Sequence, residues 1–446
     1  MKVCQRICQR NKWMMIFLLA AIALAASGCG GGAKGGDGEG QGASQASLET
    51  IDKPVTLKIY APMADEQFAK FFAEPIAKKF PSVTLERLQG QGGGAPGAQA
   101  LLNAGTPPDI VYALPGWYGK EKLMDLYADL TPLIRKYNFD LNRFEPVVAD
   151  TIKTYSPEGT IDFLPESMTT LVLIYNKAIF DKFGVPYPKE GMTWDDFAEL
   201  VRKVSRTVDG KTYYGFNMDK FFPINNNQLS LAFVDPKTNK ASVRNEGWQK
   251  YFNTMKQLFE IEGNKLKAGQ FGNYNMFSKD QNVAMMASRL EQISSFILAQ
   301  ESGLDWDMTS VPTFKDAPGT GTQVNAPFLA ITPTSPYKDE AFKIIAYLLS
   351  DEVQLEHNKD GRLTVLKDEN IRSQFGKNIK ELAGKNIQAA LALKPAKPRT
   401  FTLYDDYVVT SLADGFVSVI TGQKDVNTAL KDSEEAANRT IEENKR

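Results

Sequence analysis

Three kinds of side-chain grouping in this 446-residue chain could do chemistry. The first is Ala26-Ser27-Gly28-Cys29, where small residues stand just before a thiol. Small residues let a backbone enter a peptidase cleft, and a thiol left at the new N-terminus can take a diacylglycerol. The second is paired acids, Asp195-Asp196 and Asp405-Asp406. Glycoside hydrolysis needs two carboxylates on opposite sides of one bond, about 5–9.5 Å apart, and neighbouring acids on a helix do not face each other. Asp195 and Asp196 follow Thr193 and fit a helix cap. Asp405 and Asp406, between Tyr404 and Tyr407, fit either hydrogen bonds to sugar hydroxyls or the opening of a helix. The third grouping is aromatic and amide: Trp117-Tyr118, and Phe221-Phe222-Pro223-Ile224-Asn225-Asn226-Asn227. Aromatic faces cover the C–H faces of sugars, while amides, carboxylates and arginine take hydroxyls. Core packing for the rings and turn formation for the Asn run are the competing readings. Arg289, which ends the apolar run Met285-Met286-Ala287-Ser288, points into a cleft or sits on the surface.

Other chemistry is excluded or weak. Gln89-Gly90-Gln91-Gly92-Gly93-Gly94 lacks a following Gly-Lys-Ser or Gly-Lys-Thr, so it is a flexible loop rather than a phosphate cradle. The single histidine, His357, rules out a His-rich zinc site and makes a Ser-His-Asp enzyme a poor reading; it is expected at a solvated helix end. The three cysteines are Cys4, Cys8 and Cys29, so nothing beyond residue 29 can form a disulfide and stability must come from core size. The formal charge is −1, and the first 28 residues hold Lys2, Arg6, Arg10 and Lys12 with no acid, leaving the remainder more acidic. That argues against nucleic acid as a partner.

The elements that must position these residues follow from periodicity. A basic start and an apolar run from Trp13 to Leu24, too short to span a bilayer comfortably, make 1–28 a signal segment. Residues 29–50, rich in Gly, Ala, Ser and Gln, form a flexible tether. Val55 to Tyr60, Ser82 to Glu86 and Pro108 to Ala113 alternate like strands, with a helix carrying Phe68, Phe71, Phe72, Ile76 and Phe80 after the first and a short helix from Gln99 to Ala104 after the second. Strand, helix, strand, helix, strand implies a parallel sheet, and ligands in such sheets bind beyond the carboxyl ends of the strands. Tyr60 to Met63 and Ala113 to Tyr118 therefore flank a candidate site. Further strands are expected at Thr170–Tyr175, Val283–Ala287, Trp306–Val311 and Phe328–Thr332; helices are expected after Asn176, Thr193 and Ser335-Pro336 and towards the C-terminus. Trp194 and Trp248, with apolar neighbours on helices, read as packing residues.

Leu173-Ile174-Tyr175-Asn176-Lys177-Ala178-Ile179-Phe180, then Pro188 and Met192-Thr193-Trp194-Asp195-Asp196-Phe197, resemble the family 1 extracellular solute-binding proteins of ABC importers, to which maltose-binding protein belongs. Gly105-Thr106-Pro107-Pro108-Asp109-Ile110-Val111, Asn282-Val283-Ala284-Met285-Met286, Val311-Pro312-Thr313-Phe314 and Thr334-Ser335-Pro336 to Leu349, ending Ser350-Asp351-Glu352, agree in order and spacing. The resemblance implies an α/β, two-lobed periplasmic-binding-protein-like (type II) fold with an interdomain ligand cleft. It puts residues 51–166 and 308–352 in an N-terminal lobe and 167–307 and 353–446 in a C-terminal lobe, with the first hinge near Pro165-Glu166-Ser167. Carried over, the family's ligand positions fall near Met63, Trp117, Ser167, Arg289 and Tyr404. Ser288-Arg289-Leu290 stands where maltose-binding protein has Gly-Pro-Trp, so a platform aromatic is missing and a maltose-type pocket is not expected.

The expectation is a lipoprotein anchored by Cys29 to the extracytoplasmic face of the cell membrane, monomeric, without cofactor, metal or catalysis. It would capture a small-molecule solute, an oligosaccharide by the aromatic and amide chemistry, and deliver it to ABC permease subunits. Within the site, Trp117 would stack on a ring beside Met63 and Tyr118. Arg289, Glu166 and Ser167 would bond hydroxyls. Asn226, on the Phe222 loop, would supply an amide, and Tyr404 and Asp405 would close the far side. The rival readings are a surface-anchored glycoside hydrolase, which needs a carboxylate pair in a cleft, and an adhesion or sensory lipoprotein, which needs a large exposed apolar patch.

Overall fold

The structure, a computed structural model, describes residues 47–156 and 159–445. The signal segment, Cys29 and the tether as far as residue 46 lie outside the described residues.

Fourteen strands are described: β1 (Val55–Tyr60), β2 (Val83–Leu88), β3 (Ile110–Ala113), β4 (Leu164–Pro165), β5 (Leu171–Asn176), β6 (Arg206–Val208), β7 (Lys211–Met218), β8 (Val234–Asp235), β9 (Lys240–Ala241), β10 (Val283–Arg289), β11 (Trp306–Ser310), β12 (Thr320–Gln323), β13 (Phe328–Ile331) and β14 (Lys394–Ala396). They build two five-stranded sheets, β2-β1-β3-β13-β4 and β11-β5-β10-β7-β6, each the centre of one lobe, plus the small pairs β12-β14 and β8-β9. The parallel sheet expected from the sequence is present in β1, β2 and β3, but β13 enters antiparallel beside β3, so both sheets are mixed.

In the first lobe, β1 hands over to the helical stretch Asp65–Phe68, Ala69–Ala73 and Glu74–Lys79, whose middle piece is π-helical. The adjacent Phe71 and Phe72 both lie on its buried face. Phe72 lies edge-on to Tyr112, and Phe71 lies edge-on to His357. The expected solvated position of His357 is therefore corrected: the ring is buried, neither nitrogen has a partner, and burial lowers its pKa to about 3. The Gly-rich loop is also shorter than expected, because the helix after it already begins at Gly94 (Gly94–Asn103).

In the second lobe, Thr193 and Asp196 form the anticipated capping box on helix Trp194–Val204. Trp194, Phe197 and Phe216 meet edge to face, and Trp248 is fully buried against Phe233.

The chain passes between lobes three times. At the first crossing Glu166 N donates to Pro327 O, and Thr169 pairs in both directions with Asn325 of the second crossing. The third falls between Ile379 and Lys385. Ile379 still lies against Gly361 in the first lobe, and Lys385 Nζ already donates to Trp306 O in the second, at 2.7 Å. These contacts draw the lobes differently from the expected borders. Strand β11 hydrogen-bonds to β5 in the second sheet. Residues 351–379 pack on the first lobe through Arg143–Asp351, Lys70–Asp360 and Arg372–Glu145. Helix Asp351–Lys359 starts on the Ser350 cap directly after helix Lys338–Leu348, so no linker composition marks a change of lobe there, and none occurs.

Candidate functional site

Strands β2 and β3 flank β1, and the connecting helices must lie on opposite faces of the sheet for right-handed crossovers. A crevice opens at the carboxyl ends of strands where the order reverses in this way. Here those ends are Ala61 to Met63 and Leu114 to Trp117. Trp117 is half-buried with its indole against Gly94; a Cβ at Gly94 would come within 2.8 Å of Cε2, and the residue sits at φ +51°. Tyr60 holds the turn by donating to Gly94 O at 2.7 Å. Arg87 holds the other side, donating to Ala61 O at 3.0 Å and to Met63 O.

The second lobe brings the ends of its parallel strands β7 and β10. After β7, Asp219 Oδ1 accepts from the N–H groups of Phe221 and Phe222, both at 2.8 Å, and starts the short helix Phe222–Asn225 where a plain loop was expected. After β10, Arg289 pairs with Glu291 at 3.1 Å and remains about one-third exposed.

Between the lobes lies a narrow recess, open to solvent. Four separate segments wall it: Pro115; Val147, Thr151 and Tyr155 of helix Pro146–Tyr155; Asn225 and Asn226; and the pair Gln323-Val324, with Ala396, Pro398, Arg399 and Phe401 closing it from the C-terminal side. Tyr155 stacks on Phe401 with centroids 4.1 Å apart. The amides are fixed in orientation: Asn226 Nδ2 donates to Val324 O at 3.2 Å and Gln323 Nε2 to Lys397 O at 2.7 Å. Their oxygens, Asn226 Oδ1 and Gln323 Oε1, are buried and have no partner. Two buried acceptors among the lining residues are therefore left able to take hydrogen-bond donors.

Arg399 spends its guanidinium inside the protein: Nη1 donates to Asn225 O at 2.9 Å, Nη2 to Asn225 Oδ1 at 3.3 Å, and Nε lies 3.3 Å from Asp405 Oδ2. Beside the recess the lobes touch. Gly119 lies so close to Leu403 O that a Cβ would be 2.5 Å away, and Lys120 N donates to Asp406 Oδ2 at 3.3 Å. Behind that contact Glu121 is fully buried, accepting from Tyr127. Burial raises the pKa of Glu121 to about 8, that of Asp406 to about 7 and that of Asp405 to about 6; Arg399 opposes the rise at Asp405.

The ten residues singled out from the sequence fall into four places. Asn226 lines the recess, and Asp405 reaches it through Arg399. Met63, Trp117, Arg289 and Tyr404 are partly exposed near the strand ends and at the start of helix Asp405–Ile420. Tyr118 and Phe222 are buried beneath these surfaces, Tyr118 donating to Asp162 at 2.6 Å. Glu166 and Ser167 are buried in the first crossing. Arg362 holds both Glu166 oxygens, one of them at 3.0 Å, and the Ser167 hydroxyl donates to Glu166 at 2.9 Å, so that carboxylate is buried and engaged within the crossing. Tyr155, Gln323, Arg399 and Phe401 were not anticipated, since they come from three segments far apart in the chain and none carries a local motif. The acids offered for hydrolysis are engaged elsewhere: Asp195 with Lys315, Asp196 in the cap, Asp405 with Arg399. Among the described residues no cluster could hold a metal ion, and no helix is long and apolar enough to cross a membrane.

Comparison with known proteins agrees with this architecture. The family model described as bacterial extracellular solute-binding protein matches residues 72–378. A search of curated proteins found no match. Among solved structures, an ABC substrate-binding protein from Listeria monocytogenes in complex with cycloalternan is 17% identical with a TM-score of 0.71, covering 87% of this chain and 99% of its own. A sugar transporter protein from Rhizobium etli in an open conformation is 20% identical with a TM-score of 0.70, covering 86% and 99%. The sugar-binding protein MalE from Xanthomonas citri is 20% identical with a TM-score of 0.68, covering 87% and 98%. At these identities the likeness is one of fold.

Proposed function

Because the chain belongs to the bacterial extracellular solute-binding protein family, we propose that it is the substrate-binding component of an ABC importer and captures an oligosaccharide between its lobes. Members of that family bind and do not transform their solutes, and an extracytoplasmic location follows from membership.

The observation that carries the sugar reading is the interlobe recess. It pairs an aromatic stack, Tyr155 on Phe401, with two oriented, unpartnered amide oxygens. Rings serve the C–H faces of a sugar and acceptors serve its hydroxyls. Trp117, on the strand-end rim of the first lobe, adds a further face. The solved relatives described with cycloalternan and as sugar-binding proteins support the same class of ligand. In this reading the ligand draws the lobes together because it contacts both only when they are close, and the differential contacts supply the closing free energy. The closed form is what the permease receives. Cys29 would carry the lipid that keeps the protein at the outer face of the membrane, with 29–50 as the tether.

The test is thermal unfolding of the body from Gln45 onward, which is one compact unit, against a panel of plant and bacterial oligosaccharides. A ligand at 100 times its Kd adds about 2.7 kcal/mol of stability. A rise in Tm with the sugar recovered intact is the expected result. Cleaved sugar would return the hydrolase reading, and silence across the panel would move the assignment to a non-sugar solute. For the anchor, mass spectrometry of the protein from membranes is expected to find an acylated Cys29 as first residue.

A further inference from the structure

The recess differs from a general polar pocket in the sign of what it offers. Asn226 Oδ1 and Gln323 Oε1 are acceptors whose own N–H groups already face backbone carbonyls, so neither amide can turn round to donate. Both residues are more than nine-tenths buried. Arg399 is the one basic side chain among the lining residues, and its three nitrogens are directed at Asn225 and Asp405. Asp405 is fully buried behind it, and Asp406 and Glu121 stand next in line, faced by the Lys120 N–H and the Tyr127 hydroxyl. An anion entering here would find acceptors and a cation already neutralised by its partner.

We propose that the recess is a charge filter that accepts neutral or amine-bearing sugars and rejects sugars carrying carboxylate, sulfate or phosphate. The inference rests on the interlobe-binding reading above and narrows its ligand class. A sugar hydroxyl or ammonium group donates to the two amide oxygens and removes their burial penalty. A uronate offers acceptors where acceptors already stand, and its charge loses hydration without gaining a counter-ion. Asp405 is the specificity-determining residue in this scheme, because it keeps the Arg399 guanidinium from serving as an anion site.

The experiment measures binding by calorimetry to the body from Gln45 onward. The probes are gluco- and manno-oligosaccharides of two to six sugars, the same oligosaccharides oxidised at C6 to uronates, and chitosan oligosaccharides. The expected result is binding of a neutral or amino form with its oxidised counterpart weaker by at least about tenfold, a lower bound for an uncompensated charge near a protein surface. Asp405→Asn keeps the shape and the Oδ1 acceptor for Thr402, so it is expected to fold and to narrow that ratio by about threefold or more as the guanidinium is released. Gln323→Met, checked for an unchanged unliganded Tm, is expected to weaken the neutral form about fivefold with the loss of one hydrogen bond. Equal or tighter binding of the uronate overturns the charge filter and leaves sugar capture standing. A ratio unmoved by Asp405→Asn overturns the role given to that residue. No binding by any probe overturns the capture reading and this inference with it.

Discussion

Trp117 and His357 show how far single residues can be read. Trp117 follows strand β3, and its place at the strand end was legible because the Asp109-Ile110-Val111 run fixes where the strand lies. What the sequence did not carry is the reason for Gly94, which leaves room for the indole at a positive φ. Replacing Trp117 with Ala should weaken ligand binding at least about tenfold with little change in unliganded Tm, as an exposed ring face would; calorimetry with the first ligand found checks it, and unchanged affinity would remove Trp117 from the site. Gly94→Ala should lower both Tm and affinity, since a Cβ meets the ring and the backbone conformation is strained for alanine. His357 was misread because a Glu-His-Asn-Lys string looks solvated, whereas Phe71, nearly 290 positions earlier, covers it. Its folded pKa of about 3 lies below the 6.5 of an ordinary exposed imidazole, so the unfolded chain binds the extra proton first. Stability from this residue is full above pH 6.5 and is lost as pH falls towards 3. A His357→Leu variant should lack that slope in acid denaturation followed by circular dichroism.

The contact between helix Tyr118–Lys122 and the start of helix Asp405–Ile420 is where elements from the two lobes govern each other. Gly119 permits the approach, and Gly119→Ala should push the helix off Leu403 O, lowering affinity for any ligand held by both lobes. The carboxyl groups there respond to pH in the opposite sense to His357. Glu121 and Asp406 have folded pKa values of about 8 and 7, both raised by burial and by a neighbouring carboxyl, so the folded protein holds protons that the unfolded chain has released. Their contribution is full below about pH 4 and falls as pH rises towards 8. Chemical denaturation from pH 5 to 9 should therefore show stability declining with pH, and Glu121→Gln should flatten the decline; a wild-type curve flat over that range would contradict it. Most strands were legible from apolar runs such as Leu171–Asn176, every residue of which is buried. The site was not, because Tyr155, Gln323, Arg399 and Phe401 converge from segments scattered over nearly 250 residues, and only the Asn225–Asn227 cluster announces itself locally.

At the scale of the whole molecule, three crossings join the lobes, and the capture reading requires that the lobes move about them. The chain has no cysteine beyond Cys29, so engineered thiols report without background. Spin labels at the exposed positions Glu66 and Leu298, one on each lobe, should give a distance distribution that shifts and narrows when ligand is added; an unchanged distribution at saturating ligand would rule out lobe movement as the signal to a permease. The order of strands and helices indicated a parallel sheet and the family resemblance implied two lobes, but the assignment of residues 351–379 to the first lobe was not legible, because side chains such as Arg362 and Arg372 decide it over long range. Strand β13 adds a consequence for biosynthesis. It lies between β3 and β4 in the first sheet yet is made about 160 residues after β4. Until that strand emerges from the ribosome, β4 has no partner joining it to β3 and the first lobe cannot complete its sheet. The first lobe therefore closes only after the strands of the second sheet, all within residues 171–310, have been made, so the domain that starts first is completed last.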